Sequence, residues 1–267
     1  MGWPVEHSLS PRLHGYWLKR YGIDGDYVAL PVSPENLRET LKSLADKGFN
    51  GVNLTVPHKE AALAIVDEIE PLAQRIGAIN TVIVRKDGSL YGRNTDAYGF
   101  HHNLLEAGFK RTRNIATLLG AGGAARAALA ALLDMGFTDI RIINRTRDKA
   151  EKLAEEFDVK KITAYAWDNP RALEGSDLLA NATSLGLKGQ PPLTISLDAL
   201  PTDAWVTDMV YAPLQTDLLQ QAVQRGNKTV DGLGMLLHQA CPAFAAFFGI
   251  DPEVTPELRA YVLGKTA

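Results

Sequence analysis

One cysteine, Cys241, stands among 267 residues, so no disulfide can close within the chain, and the usage suits a reducing compartment. No apolar run reaches the roughly 18 residues needed to span a bilayer. Charge of neither sign accumulates. The 28 lysines and arginines and 31 aspartates and glutamates are interspersed and leave a formal net charge of -3. That balance gives no basic stripe for nucleic acid and no polybasic run for a membrane surface. The start, Met1-Gly2-Trp3-Pro4, lacks the basic end and apolar core of a secretory signal, so the cytoplasm is the expected location. There is no repeat of fixed period and no low-complexity tract. His7, His14, His101, His102 and His238 show no metal-ligand spacing with a third acid or thiol partner, and no metal is expected.

What remains is an ordinary globular composition, 46% hydrophobic and 22% charged, with length enough for two domains sharing one chain. The first ninety-odd residues mix helical and strand patterns. Ser10-Pro11 reads as an N-cap followed by proline at the first helical position, opening a helix through Tyr21. Tyr27 to Pro31 reads as a short strand. Ser33-Pro34 repeats the start signal for a helix to Lys47, stopped by Gly48. Gly51 to Val56 is an apolar strand, and Lys59 to Asp67 looks helical. Thr81 to Arg85 and Leu90 to Arg93 flank Lys86-Asp87-Gly88-Ser89, a hairpin signal. A helix is expected from Asp96 towards Ala107.

The rhythm then changes. Ile115 to Leu119 is a buried strand, followed by a small-residue helix, the strand Ile140 to Ile143 and a charged helix from Thr146 to about Phe157. Leu178 to Ala180 and Trp205 to Thr207 are further strand candidates. Such alternation predicts an α/β fold with a doubly wound parallel sheet. The last helices, about Gly234 to Phe248 and Pro256 to Leu263, no longer alternate with strands.

Between the first of these strands and its helix, Gly120, Gly122 and Ala125 fit G-x-G-x-x-A. The first glycine permits the tight turn and the second lets backbone approach a pyrophosphate. The small third position lets helix and strand pack closely. A tight turn between packed elements would look similar, but the strand before and helix after favour a dinucleotide. The next strand ends in Asn144-Arg145-Thr146-Arg147-Asp148-Lys149, where an NAD enzyme would usually carry an acid for the ribose hydroxyl. Arginine there binds a 2′-phosphate that an acid would repel, and cations at a helix start want a compensating anion. NADP is the expected cofactor.

Outside this unit lie Ser8-Leu9-Ser10-Pro11, Asn53 to Lys59, Ala78-Ile79-Asn80-Thr81 and Asn94-Thr95-Asp96. Their hydroxyls, amides, lysine and aspartate could bind a compact polyol acid. Singly each has a plainer role: Ser10 or Asp96 as an N-cap, Asn80 as a turn former, Lys59 as a surface lysine.

In order, S-x-S-P, N-x-T-V-P-x-K, G-A-x-N-T, N-T-D, G-A-G-G-A, N-R-T, N-A-T-S-x-G, D-x-x-Y-x-P and D-G-L-G-M-L-x-x-Q-A cover nearly the whole chain. In this the sequence resembles the shikimate dehydrogenases. The resemblance implies a substrate domain of residues 1–96 completed by C-terminal helices in 232–267. It also implies a Rossmann-type NADP domain in 97–231. The implied reaction is reversible NADPH-dependent reduction of 3-dehydroshikimate to shikimate, a step towards aromatic amino acids. Carried over by position, Lys59 and Asp96 are the catalytic pair, and Ser8 and Ser10 bind the carboxylate. Asn53, Thr55, Asn80, Tyr211 and Gln239 are the other substrate contacts. Gly120, Ala121, Gly122, Gly123, Ala124, Asn144, Arg145, Thr146 and Lys149 hold the cofactor, with Thr183, Met209 and Gly232 near its nicotinamide half. The implied partners are small molecules, with no nucleic acid or membrane, and the chain a monomer or homodimer.

The chain also departs from the family pattern. The family has a strand before the first G-x-P where this sequence begins at Met1-Gly2, which makes the first strand of the substrate domain missing or clipped. Ala97 replaces a usual glycine, and Lys149 stands where some members carry a second arginine, keeping the charge but not the fork.

Reducing a ketone needs hydride at carbon and a proton at oxygen; NADPH supplies the first and a positioned acid the second. Lys59 suits that role, and even as a fixed charge it would stabilise a developing alkoxide. His58 is a rival acid, read as structural because the family tolerates other residues there. Two alternatives remain: an NAD-preferring quinate/shikimate dehydrogenase, disfavoured by Asn144-Arg145, and a catalytically silent NADP or shikimate sensor, disfavoured by the intact Lys59 and Asp96.

Overall fold

The computed structural model describes residues 1–265. In chain order its elements are α1 (Ser10–Arg20), α2 (Leu37–Lys42), β1 (Gly51–Asn53), α3 (His58–Ala61), β2 (Glu68–Ile69), α4 (Pro71–Ile76), β3 (Thr81–Val84), β4 (Leu90–Arg93) and α5 (Asp96–Glu106). There follow β5 (Ile115–Leu119), α6 (Gly123–Asp134), β6 (Asp139–Ile143), α7 (Arg147–Phe157), β7 (Ile162–Tyr165), β8 (Leu178–Asn181), β9 (Trp205–Asp208), α8 (Asp217–Gln224), β10 (Lys228–Val230), α9 (Gly232–Phe248) and α10 (Pro256–Val262). They sort into two compact units, Met1–Gly99 with the chain from Leu236 on, and Phe100–Met235. The units part inside α5 and α9, about a helical turn beyond the boundaries expected at 96 and 232, because both helices run on without a break.

The first unit holds a four-stranded sheet in the order β1-β3-β4-β2. β1 and β4 both pair antiparallel with β3, and β2 joins β4 in parallel. The β3–β4 hairpin turns through Lys86-Asp87-Gly88-Ser89 as expected, with Asp87 Oδ1 accepting from the Ser89 N–H at 3.0 Å. Val52, Val82 and Leu90 from the sheet and Leu54 just after β1 pack with Leu37, Leu41 and Leu44 into one apolar core. Met1 to Trp3 run beside the chain just past β1: Thr55 N–H donates to the Met1 carbonyl at 2.9 Å, Trp3 N–H to the Val56 carbonyl at 3.1 Å, and Gly2 bridges in parallel to Pro31.

Several expected elements differ. Tyr27 to Pro31 forms no strand beyond that single bridge, since nothing else among the described residues pairs with its backbone. The helix expected over 33–47 splits into a 3₁₀ turn at Pro34–Asn36, α2, and turns to Gly48. Likewise Lys59 to Asp67 is α3 followed by a 3₁₀ turn at Ala62–Ala64. Ser10 lies within the first turn of α1 rather than capping it, and its own N–H donates to Ser8 Oγ at 3.2 Å.

The second unit is built on an all-parallel six-stranded sheet, β7-β6-β5-β8-β9-β10, the doubly wound order. β5 occupies Ile115–Leu119, the span expected from its apolar run. The alanines of α6 at 125, 127, 128 and 130 are fully buried, so the helix backbone lies close to its neighbours. In such a sheet the chain reverses its direction of winding between β5 and β8, and ligands bind outside the carboxyl ends of the strands there.

Candidate active site

In the first unit the site starts at α3. The Lys59 carbonyl accepts from Ile79 N–H at 2.8 Å, pinning this one-turn helix to the segment entering β3. Asp96 is the first residue of α5. Its N–H donates to Asn94 Oδ1 at 3.0 Å, so Asn94 satisfies the helix start and leaves the Asp96 carboxylate free for another task. That task is Lys59: Nζ lies 2.5 Å from Asp96 Oδ2, with the two side chains 15% and 7% exposed.

The other carboxylate oxygen is held as well. Asn80 Nδ2 donates to Asp96 Oδ1 at 2.9 Å and to Thr95 Oγ1 at 2.9 Å, and lies 3.3 Å from Gln239 Oε1 on α9. Asn80 Oδ1 accepts from Thr95 N–H at 2.8 Å and Thr81 Oγ1 at 3.1 Å. Asn53, at the end of β1, donates to Thr81 Oγ1 at 3.0 Å and to the Asn80 carbonyl at 3.3 Å. The structure therefore brings Lys59, Asp96, Asn80, Gln239 and Asn53 into one hydrogen-bonded group. Ser8 and Ser10 stand half-buried at the start of α1, and Thr55 is exposed beyond β1; none of the three bonds to that group. Tyr211 belongs to the second unit, after β9.

Sequence reasoning did not assign Thr81, Thr95 or Tyr27. The two threonines sit beside asparagines of quoted motifs, so their position was signalled there. Tyr27 carries no motif, yet its hydroxyl donates to Asn53 Oδ1 at 2.7 Å. His58 is only 1% exposed and its Nε2 meets the Val32 carbonyl at 2.7 Å. Burial lowers its pKa, with the Val32 carbonyl opposing that shift. A ring so enclosed is a structural tether.

In the second unit, Gly120 follows β5 with φ +109°, and a Cβ there would press on Thr183 and Ala182 just past β8. Only glycine fits this turn between the two strands where the winding reverses. At Gly122 an added Cβ would meet nothing within 4 Å, and the residue directly precedes α6. The first N–H groups of a helix have no intrahelical partners, so an anion is welcome there. Asn144 Nδ2 donates to the Thr146 carbonyl at 2.7 Å, shaping the turn that presents Arg145 and Lys149. Both are exposed, and neither takes an ion pair among the described residues. A glycine turn open to approach, a helix start and two uncommitted cations suit a dinucleotide bearing an extra phosphate.

Thr183 is fixed by Asn181, whose Oδ1 accepts from its N–H at 3.0 Å and its hydroxyl at 2.7 Å. Asn181 Nδ2 donates in turn to Asp208 Oδ1 at 2.9 Å. That carboxylate also accepts from Val210 N–H and from Thr216 Oγ1, yet burial still raises its pKa. Gly232 packs so closely that a Cβ would sit 2.5 Å from the Met209 carbonyl. Among the described residues no three His, Cys, Asp or Glu side chains group to hold a metal ion. No described helix is long and apolar enough to cross a membrane.

A doubly wound sheet with this glycine turn, in a chain whose other unit carries an enclosed lysine–aspartate pair among amides and hydroxyls, defines an α/β oxidoreductase of the dinucleotide-linked class. Residues 1–82 match the family model of the shikimate dehydrogenase substrate binding domain, and residues 103–186 that of shikimate / quinate 5-dehydrogenase. The chain is 53% identical to the NADP(+) shikimate dehydrogenase of Paramagnetospirillum magneticum, over 98% of this chain and 96% of that one. Its fold matches shikimate 5-dehydrogenase from Thermus thermophilus in complex with NADP(H) and shikimate, with a TM-score of 0.88 and 38% identity over 99% and 97% of the two chains. It also matches quinate dehydrogenase from Corynebacterium glutamicum in complex with NAD, with a TM-score of 0.90 and 29% identity over 98% and 96%. The chain belongs to the shikimate dehydrogenase family.

Proposed function

We propose that this protein catalyses the reversible NADP-dependent interconversion of shikimate and 3-dehydroshikimate, with Lys59 and Asp96 as the catalytic pair. The observation that carries the reading is the 2.5 Å contact of Lys59 Nζ with Asp96 Oδ2, in a group whose remaining members are amides and hydroxyls suited to a polyol. When bound, NADP supplies or removes the hydride. Lys59 holds at Nζ the proton that passes to the ketone oxygen in reduction, and Nζ receives it in oxidation. One Lys59 N–H is directed to Asp96, leaving others for the substrate oxygen. Asp96 orients the ammonium, and Asn80 orients Asp96. Ser8 and Ser10 offer hydroxyls to the substrate carboxylate, and Asn53, Thr55, Asn80, Tyr211 and Gln239 meet its other groups.

The unit of Met1–Gly99 with the C-terminal helices then serves the substrate, and Phe100–Met235 serves the cofactor. Gly120, Ala121, Gly122, Gly123 and Ala124 cradle the pyrophosphate. Asn144, Arg145, Thr146 and Lys149 meet the 2′-phosphate, with Thr183, Met209 and Gly232 towards the nicotinamide. The single cysteine and the absence of long apolar helices among the described residues support a cytoplasmic enzyme, working as a monomer or homodimer. The test is NADPH formation followed spectrophotometrically with shikimate and NADP, then with quinate and with NAD. Turnover is expected chiefly with the first pair. No NADPH from shikimate would overturn the reading, and faster turnover with quinate and NAD would replace it.

A further inference from the structure

Tyr27 precedes α2 in a stretch with no regular structure, and no motif marks it. Its hydroxyl lies 2.7 Å from Asn53 Oδ1, across 26 residues of sequence. Which end of the Asn53 amide faces the tyrosine is settled by its other neighbour. The Asn80 main-chain carbonyl can only accept, so the amide edge 3.3 Å from it must be Nδ2, which also reaches Thr81 Oγ1 at 3.0 Å. Oδ1 therefore faces the phenol, and the phenol must be the donor. Burial raises the phenol's pKa, so the group keeps its proton throughout the working range.

The ring is itself fixed. It stacks on His14 of α1 with centroids 3.9 Å apart and planes 6° from parallel. His14 is fully buried, and neither ring nitrogen has a hydrogen-bond partner among the described residues. It also packs edge-on against Trp17 at 5.8 Å. The helix that begins at Ser10 thus sets the ring, the ring sets its hydroxyl, and the hydroxyl sets the amide at the end of β1.

We infer that Tyr27 is a positioning residue for Asn53, fixing the amide with Oδ1 as an acceptor for a substrate hydroxyl. Two lone pairs serve Oδ1, and Tyr27 occupies one. Asn53 is only half-buried, so the second stays within reach of a ligand. An alcohol can donate to it. A ketone or carboxylate oxygen carries no hydrogen and is turned away. This rests on the functional reading above and adds to it a device that selects a hydroxyl at this point of the substrate.

The test is Tyr27→Phe, which keeps the ring and its stack and removes only the donor. The KM for shikimate should rise roughly 2- to 12-fold, the worth of one neutral hydrogen bond, with kcat changing much less and the KM for NADP unchanged. In an Asn53→Ala background the same substitution should add nothing to KM. The four proteins also form a cycle for thermal unfolding, where the pair should be non-additive. An unchanged KM in Tyr27→Phe overturns the inference, as does an equal rise in the Asn53→Ala background. Should the wild type fail to oxidise shikimate, the functional reading falls. The unfolding cycle then decides the positioning: coupling supports it and additivity overturns it.

Discussion

Asn80 Nδ2 donates to Asp96 Oδ1 at 2.9 Å, so the carboxylate that grips Lys59 is itself gripped, by a residue only 2% exposed. The same amide joins Thr95 and lies against Gln239, which makes Asn80 the point where β3, α5 and α9 meet within the first unit. Asn80→Ala strips partners from Thr95 N–H and Asp96 at once. Buried groups left unpaired cost about 1–3 kcal/mol each, so a stability loss of at least that size is expected. Urea unfolding checks it, and a loss within error of zero would mean that water takes over the vacated bonds.

In the proposed function, Arg145 decides cofactor choice. It is exposed at the end of β6 with no ion pair among the described residues, while Arg147 nearby is committed to Glu151 at 2.8 Å. Arg145→Ala should raise the KM for NADP by roughly 10- to 150-fold, the worth of a charge-assisted contact, and leave NAD kinetics nearly unchanged. Equal losses with the two cofactors would remove Arg145 from 2′-phosphate recognition.

Stability should fall on the acid side because of His14. Burial lowers its pKa from the ordinary 6.5 to about 3. Between those values the unfolded chain binds a proton that the folded protein refuses, so unfolding gains as pH drops. The slope reaches at most about 1.4 kcal/mol per pH unit and ends near the folded-state value. His58, also lowered by burial, adds a contribution of the same sign, so the comparison is between proteins. His14→Phe keeps an aromatic ring beneath Tyr27 and should flatten the stability profile between pH 6.5 and 4 in urea titrations. Identical profiles for the two proteins would show that His14 is not held neutral.

The elements that could be read in the sequence are those long enough to show a period or bounded by residues with special backbone demands. The span of β5 follows from a run of buried residues, the turn at Gly120 from its glycines, and the β3–β4 hairpin from Asp87-Gly88. Three of the four edge strands, each two to four residues long, escaped, and only β1 was signalled, by its apolar run. β2, β7 and β10 pair on one side only, and Lys228-Thr229-Val230 offers no alternation to detect. Conversely, Tyr27 to Pro31 has a strand-like composition, but a strand exists only where a partner accepts its ladder. Motifs could nominate Lys59, Asp96, Asn80, Asn53 and Gln239. That Asn80 lies against Gln239, 159 residues away, or that Tyr27 reaches Asn53, depends on how sheet and helices pack, which no local pattern encodes.

The Lys59–Asp96 pair allows the sharpest test. If Lys59 acts mainly in the transition state, Lys59→Ala should cut kcat by roughly 10²–10⁴-fold, the range for general acid–base groups. The KM for shikimate should change much less, because little uniform binding is lost. The pair is largely enclosed, at 15% and 7% exposure, so removing one charge leaves the other poorly compensated. Melting must therefore be measured alongside, and kinetics taken well below the lowered transition. Asp96→Asn keeps the shape and hydrogen-bonding edge but removes the charge, which separates orientation from electrostatics. If Lys59 and Asp96 act as a unit, the double variant should be little worse than the poorer single one. Should Lys59→Ala keep near-wild-type kcat with only weaker binding, Lys59 is a binding residue and the proton comes from elsewhere. His58 is then no ready substitute, for its ring is 1% exposed and its Nε2 is tied to the Val32 carbonyl. Water or another hydroxyl at the substrate oxygen would then supply it, and a solvent isotope effect on kcat that persists in Lys59→Ala would show that proton transfer still takes place in the slow step without the lysine.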